Sequence, residues 1–234
     1  MPMKNVQNAS KESVLKRLNR TLRTDCYITP FDIIARRLVR LRPAARRELL
    51  VLCDEALACP RLRTRDAVRV ASAKVMVALL PDSLKTIESW LKKKEPRSVF
   101  EVHFSFFCYL DEVSASSRSD SLRTSVLKLV EGYLRTTRSD AAQAAWMAGD
   151  LLGDHWDLSE SLSVLLELAG GAQHAAGRTG GVHGLEEAFG RCKREDVCRE
   201  IRNALERASK IDPCREVRLA AKIALDRITS SKPP

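Results

Sequence analysis

Residues 212 to 225 read Asp212-Pro-Cys-Arg-Glu-Val-Arg-Leu-Ala-Ala-Lys-Ile-Ala-Leu225, an acidic turn followed by a Val-Arg pair and small alanines at helical spacing. Looser copies precede it. One runs from Asp66 through Val68, Arg69 and Ala71 to Leu79, another from Asp140 to Leu152, and a degenerate one covers Arg178 to Leu185. A further segment, Val99 to Leu110, keeps only the apolar spacing. Aligning the final leucines Leu79, Leu110, Leu152, Leu185 and Leu225 gives steps of 31, 42, 33 and 40 residues, the period of two-helix repeats. Sustained alternation of apolar and polar residues is missing, and so are tight hairpin dipeptides. The expected fold is therefore all-α, an α-solenoid of roughly five to six helix pairs, in which each unit buries one face on its neighbour.

The residues Asp66, Val68, Arg69, Ala71, Asp212, Val217, Arg218, Ala220 and Ala221 resemble HEAT repeats, particularly the short bacterial form. The likeness is diffuse between residues 81 and 210. Small alanines let neighbouring helices approach closely, and the arginine can reach acceptors along adjacent turns. The resemblance implies recognition of a protein or peptide on a concave surface, without catalysis.

Charge is distributed unevenly. Residues 1 to 74 hold 17 Lys/Arg against 7 Asp/Glu, whereas residues 75 to 234 hold 23 of each, so the whole excess of +10 belongs to the first third. Such asymmetry points to an anionic partner. Arg36, Arg37, Arg40, Arg46, Arg47, Arg65 and Arg69 are the candidate contacts, either clamping an acidic peptide through bidentate carboxylate pairs or touching several phosphates of a nucleic acid. Few aromatics lie among them, which disfavours base stacking.

Residues 1–9 lack periodicity and read as a tail, residues 10–229 as a single solenoid domain with a basic part at 10–74, and residues 230–234 as a second tail. The first helix is expected from Ser10 to about Arg23, with no leader preceding it, because the basic start leads into an amphipathic segment. Thr29-Pro30-Phe31-Asp32 reads as a helix start, with Thr29 as N-cap and Pro30 in the first turn. Asp82 reads as the cap of a helix from Ser83 to Lys94. No apolar run is long enough to span a membrane. The seven cysteines form no Cys-x-x-Cys pair, which fits a reduced, cytoplasmic setting. Lys193 and Arg194 sit beside Cys192 and near Cys198, an environment that could lower a thiol pKa.

Catalytic signals are sparse. The four histidines make no metal-binding pair, Gly177-Arg-Thr-Gly-Gly181 is not a phosphate loop, and no cofactor or metal is expected. His103, among Phe100, Phe104, Phe106 and Phe107, reads as a packed ring. The near-helical spacing of Gly177, Gly180, Gly181 and Gly184 favours a flat side for close helix packing. Trp146 and Asp150, four residues apart, are similar to an arrangement in HEAT-like DNA glycosylases of alkylated bases, where aromatics contact the damaged nucleotide and an Asp stabilises charge on the sugar. Arg178 would be the third member, although a second downstream Trp of that family is missing. The alternative reading is thus a DNA-binding protein of that kind. The leading one remains a non-catalytic scaffold or adaptor.

Overall fold

The computed structural model describes residues 14–58, 67–92, 100–116, 120–138, 141–156 and 158–230. Among them the fold is all helical, with no strand. Twelve helices occur: α1 (residues 14–22), α2 (Phe31–Val39), α3 (Pro43–Ala58), α4 (Ala67–Ala78), α5 (Leu84–Leu91), α6 (Phe100–Ser116), α7 (Asp120–Thr136), α8 (Ala142–His155), α9 (Leu158–Gly171), α10 (Ala175–Arg191), α11 (Glu195–Ile211) and α12 (Arg215–Ser230). The chain divides into two compact units, Met1–Val113 and Ser114–Pro234.

In the first unit α4 is enclosed. Every residue from Val68 to Val77 except Val70 is buried, including Arg69, Ser72 and Lys74. A helix apolar on most sides belongs inside a bundle, and α4 packs on both α2 and α3. Leu18, Ile34, Leu38, Leu49, Cys53 and Leu57 fill this core. A second cluster joins α5 to α6, where Trp90 meets His103 and Phe106 edge-on at centroid distances of 4.7 and 5.6 Å, an arrangement that aligns ring edges with electron-rich faces.

Two expected caps are replaced. Pro30, not Thr29, is the residue preceding α2, and it supplies no side-chain cap. Thr29 instead shares a hydroxyl–hydroxyl bond of 2.6 Å with Thr24. Before α5 the cap position is Ser83 and not Asp82, and the Ser83 hydroxyl donates to the Met76 carbonyl at 2.5 Å.

In the second unit α10 is central, packing on α8, α9 and α12. Glycine makes that possible. A Cβ at Gly149 of α8 would lie 1.9 Å from the Gly180 carbonyl oxygen, and one at Gly184 of α10 would lie 2.6 Å from the Gly149 oxygen. Gly153 faces Gly184 in the same way. These pairs advance together in residue number, so α8 and α10 run parallel in backbone-to-backbone contact. The glycine spacing in α10 is the close-packing face expected from the sequence, and it matches a Gly149-x-x-x-Gly153 pair on α8 that the sequence reading passed over. The entropic cost of glycine within a helix is about 0.5–1 kcal/mol each, offset here by dispersion along two touching backbones.

Candidate functional site

The arginines proposed to meet an anionic partner divide by environment. Arg40 and Arg47 are exposed. Arg36 is exposed as well, although it ion-pairs with Asp32 one turn earlier and donates through Nε to the Asp32 carbonyl at 3.3 Å. Arg46 is half-buried. Arg37 turns inward: its Nη1 donates to the Leu22 carbonyl at 2.7 Å and to that of Arg23, satisfying acceptors that the end of α1 leaves open. Arg23 adopts a left-handed backbone, with φ of 50°, and this contact holds it there. Arg69 is only 6% exposed, beside His103, whose pKa its charge helps to lower. Arg65 lies outside the described residues. The surface group is therefore Arg36, Arg40 and Arg47, while Arg37 and Arg69 serve the interior.

The loop between α1 and α2 has a second internal anchor. Lys74 of α4 donates from Nζ to the carbonyls of Tyr27 at 3.0 Å and Thr29 at 2.8 Å, and it sits 5.2 Å from the Tyr109 ring centroid. Burial lowers its pKa, opposed by Cys26, Glu112 and Asp25. Tyr27 and Ile28 are exposed at the tip of the loop so held.

The proposed trio of Trp146, Asp150 and Arg178 does not converge. Trp146 is 40% exposed and lies edge-on to His183 at 5.5 Å. Asp150 is half-buried one turn further along α8. Arg178 is committed elsewhere, with Nε 2.6 Å and Nη2 3.1 Å from the two carboxylate oxygens of Asp212 and Nη1 2.9 Å from the Ala172 carbonyl. The arginine whose field reaches Asp150 is Arg227 of α12, which pairs with Glu186 at 3.0 Å. Asp154 and Glu186 also act on Glu187, whose pKa is raised by burial first and then by those two charges. Glu186, Glu187 and Asp150 thus act on one guanidinium near Trp146, an excess of negative charge and the wrong sign for a phosphate backbone. Burial, assisted by Arg227, pushes His183 down to about 4. Glu186 lies 3.8 Å away, beyond hydrogen-bond reach and already engaged by Arg227, so burial prevails.

The thiols of Cys26, Cys53, Cys108 and Cys198 are all held above their ordinary value, by burial first. Cys198 is pushed up to about 11, by burial first and then by Cys192, which together outweigh the lowering by Arg202. Cys26 is likewise raised to about 11 by burial. The turn containing His155 is pinned: Arg123 Nη2 donates to the His155 carbonyl at 2.8 Å, and Trp156 Nε1 donates to the Arg123 carbonyl at 3.2 Å. Among the described residues no group of three or more His, Cys, Asp or Glu is placed to hold a metal, and no helix is long and apolar enough to cross a membrane.

A groove absent from the sequence reading lies between α9 and α11. At the N-terminal ends of these helices a pocket of about 550 Å³ is lined by Leu162, Leu166, Val197 and Glu200, with Arg191, Lys193 and Arg194 at its edge. At the C-terminal ends a second pocket of about 260 Å³ is lined by Leu166, Ala204, Arg207, Ala208 and Ile211. Leu166 borders both, so the two pockets meet along the same side of α9. Its signal was available in α9, where Leu165 and Leu168 supply the buried stripe and Leu162 and Leu166 add a second apolar row that is only partly covered. Ile211 is 71% exposed at the far end. On α12, Leu219 and Ile223 are also exposed one turn apart.

Comparison with protein-family models, curated proteins and solved structures finds no match to this chain.

Proposed function

We propose that this chain is a non-catalytic binding scaffold, a short α-solenoid of HEAT-like helix pairs that takes a protein or peptide partner along its helical surface, with Arg36, Arg40 and Arg47 attracting anionic groups. The observation that carries the reading is a contact that recurs 40 residues apart. Arg178 Nη1 donates to the Ala172 carbonyl at 2.9 Å at the start of α10, and Arg218 Nη1 donates to the Asp212 carbonyl at 2.5 Å at the start of α12. The two helices begin at Ala175 and Arg215, so the same turn-to-helix joint is built twice. Parallel α8 and α10 in one layer, with α9 and α11 beside them, fit a stack of pairs. A cytoplasmic setting accompanies this proposal, consistent with cysteines that are free among the described residues.

Nucleic acid is the alternative partner, favoured by the exposed arginines and opposed by the acidic surroundings of Trp146. The two readings separate in one titration. Nuclease-treated protein is mixed with labelled acidic peptides and, in parallel, with a labelled DNA duplex across a salt series, beside an Arg36/Arg40/Arg47→Ala variant. The scaffold reading expects peptide binding and weak duplex binding. Tight duplex binding that weakens steeply with salt, with a slope that shrinks in the variant, would replace it with the nucleic-acid reading.

A further inference from the structure

We propose that the α9–α11 groove is the docking site for one amphipathic acidic helix, a deepening that rests on the scaffold reading above. Its dimensions suit that occupant. The groove follows α9 from Ser159 to Gly171, a length of about 20 Å at 1.5 Å per residue, enough for three to four turns of a docked helix. Its floor is a row of Leu162, Leu166, Val197, Ala204, Ala208 and Ile211, and small alanines on α11 leave room for larger anchors spaced i, i+4 and i+7 on the incoming helix.

Charge selects the partner. Arg191, Lys193 and Arg194 stand at one end and Arg207 at the other, against Glu200. Arg178 and Asp212, which also border the groove, neutralise each other. Arg191 donates to the Gly153 carbonyl and Arg194 pairs with Asp196, while Lys193 and Arg207, both exposed, mark the two ends. Residues 1–13 contain Lys4 and Lys11 against Glu12, and residues 231–234 read Ser-Lys-Pro-Pro, so neither segment brings the acidic charge this site would take. Complementarity therefore favours a foreign helix with leucine-type anchors in the middle and Asp or Glu near both ends.

The test uses the full chain and a fluorescent 18-residue peptide with leucines at i, i+4 and i+7 and glutamates flanking them. A scrambled peptide and one with Lys in place of Glu serve as controls. Anisotropy titrations are run on the native protein, on Lys193→Glu/Arg207→Glu, which changes only exposed side chains, and on Leu166→Gln, with circular dichroism to confirm folding. The acidic peptide alone should bind, gaining helicity, and each variant should weaken it by about tenfold or more. Binding that is unchanged in both variants would overturn the groove while leaving the scaffold reading standing. Equal binding of the lysine peptide, or displacement of the acidic peptide by duplex DNA, would also overturn it. Failure of all peptides, here and in the broader peptide titration, would remove the scaffold reading itself.

Discussion

Arg178 and Asp212 form a bidentate ion pair across 34 residues of sequence, with Nε to Oδ2 at 2.6 Å and Nη2 to Oδ1 at 3.1 Å. Their side chains are only 12% and 5% exposed. Asp212 carries three loads at once. Its carboxylate receives Arg178, its Oδ1 accepts the Cys214 amide at 2.8 Å, and its carbonyl accepts Arg218 at 2.5 Å. The turn into α12 is thereby tied to α10. Deleting one partner of such a pair leaves a charge in a poorly solvated place, a loss of roughly 3 kcal/mol or more. Asp212→Asn and Arg178→Gln should each destabilise the protein by about that amount in urea unfolding, and the double variant by clearly less than their sum. Strict additivity would show that the two side chains do not interact.

Glycine substitutions should change sign with position. At Gly149 a methyl group would sit 1.9 Å from the Gly180 carbonyl oxygen, which is backbone and cannot rotate away. Gly149→Ala should therefore cost about 3 kcal/mol, the upper range for overpacking, despite its better helix propensity. Gly132 lies inside α7 with nothing within 4 Å of an added Cβ. Gly132→Ala should stabilise by up to about 1 kcal/mol. Thermal unfolding of the two variants side by side decides the matter: equal effects would mean that α8 and α10 are not in backbone contact.

Period and composition made the helices legible. The phrase from Asp212 to Leu225 runs through the turn and into α12, and the glycines of α10 announce a face for close approach. What a helical period does not reveal is which neighbour's carbonyls pass over that face. Arg37 and Arg69 read as binding groups and Arg178 as the third member of the alternative trio, whereas Arg37 and Arg178 close backbone acceptors and Arg69 is buried beside His103. Arg40 and Arg47, equally basic, remain at the surface. The α9–α11 groove escaped for a related reason: a surplus of leucines signals burial, and only the packing of α9 decides which of them stay partly open.

Lys74 should prove to be the clamp of the α1–α2 loop. Its ammonium satisfies two carbonyls that no described backbone amide reaches, those of Tyr27 and Thr29. Hydrogen bonds to a charged donor contribute about 1.5–3 kcal/mol. Lys74→Met keeps the apolar stem and removes the donors, so it should lower stability by about 2 kcal/mol. Amide hydrogen exchange at residues 24–29 should accelerate while the amides of α10 stay protected. Unchanged exchange in the loop would assign the ordering to Arg37 and the Thr24–Thr29 pair instead.

Acid should weaken the first unit through His103. The ring is 2% exposed, edge-on to Trp90, and burial followed by the charge of Arg69 lowers its pKa to about 4, against an ordinary value of 6.5. A depressed histidine pKa means that the unfolded chain takes up a proton the folded one refuses. Stability is then fully present above about pH 6.5 and falls as the pH drops towards 4. Linkage over that interval amounts to about 2 kcal/mol between pH 7 and pH 5. Urea unfolding of the native protein should show that loss, and His103→Gln, neutral at both pH values, should have a profile flatter by a similar amount. His183, depressed in the same direction, contributes to the slope that remains in the variant. Parallel profiles for the two proteins would mean that His103 takes up its proton as readily when folded as when unfolded.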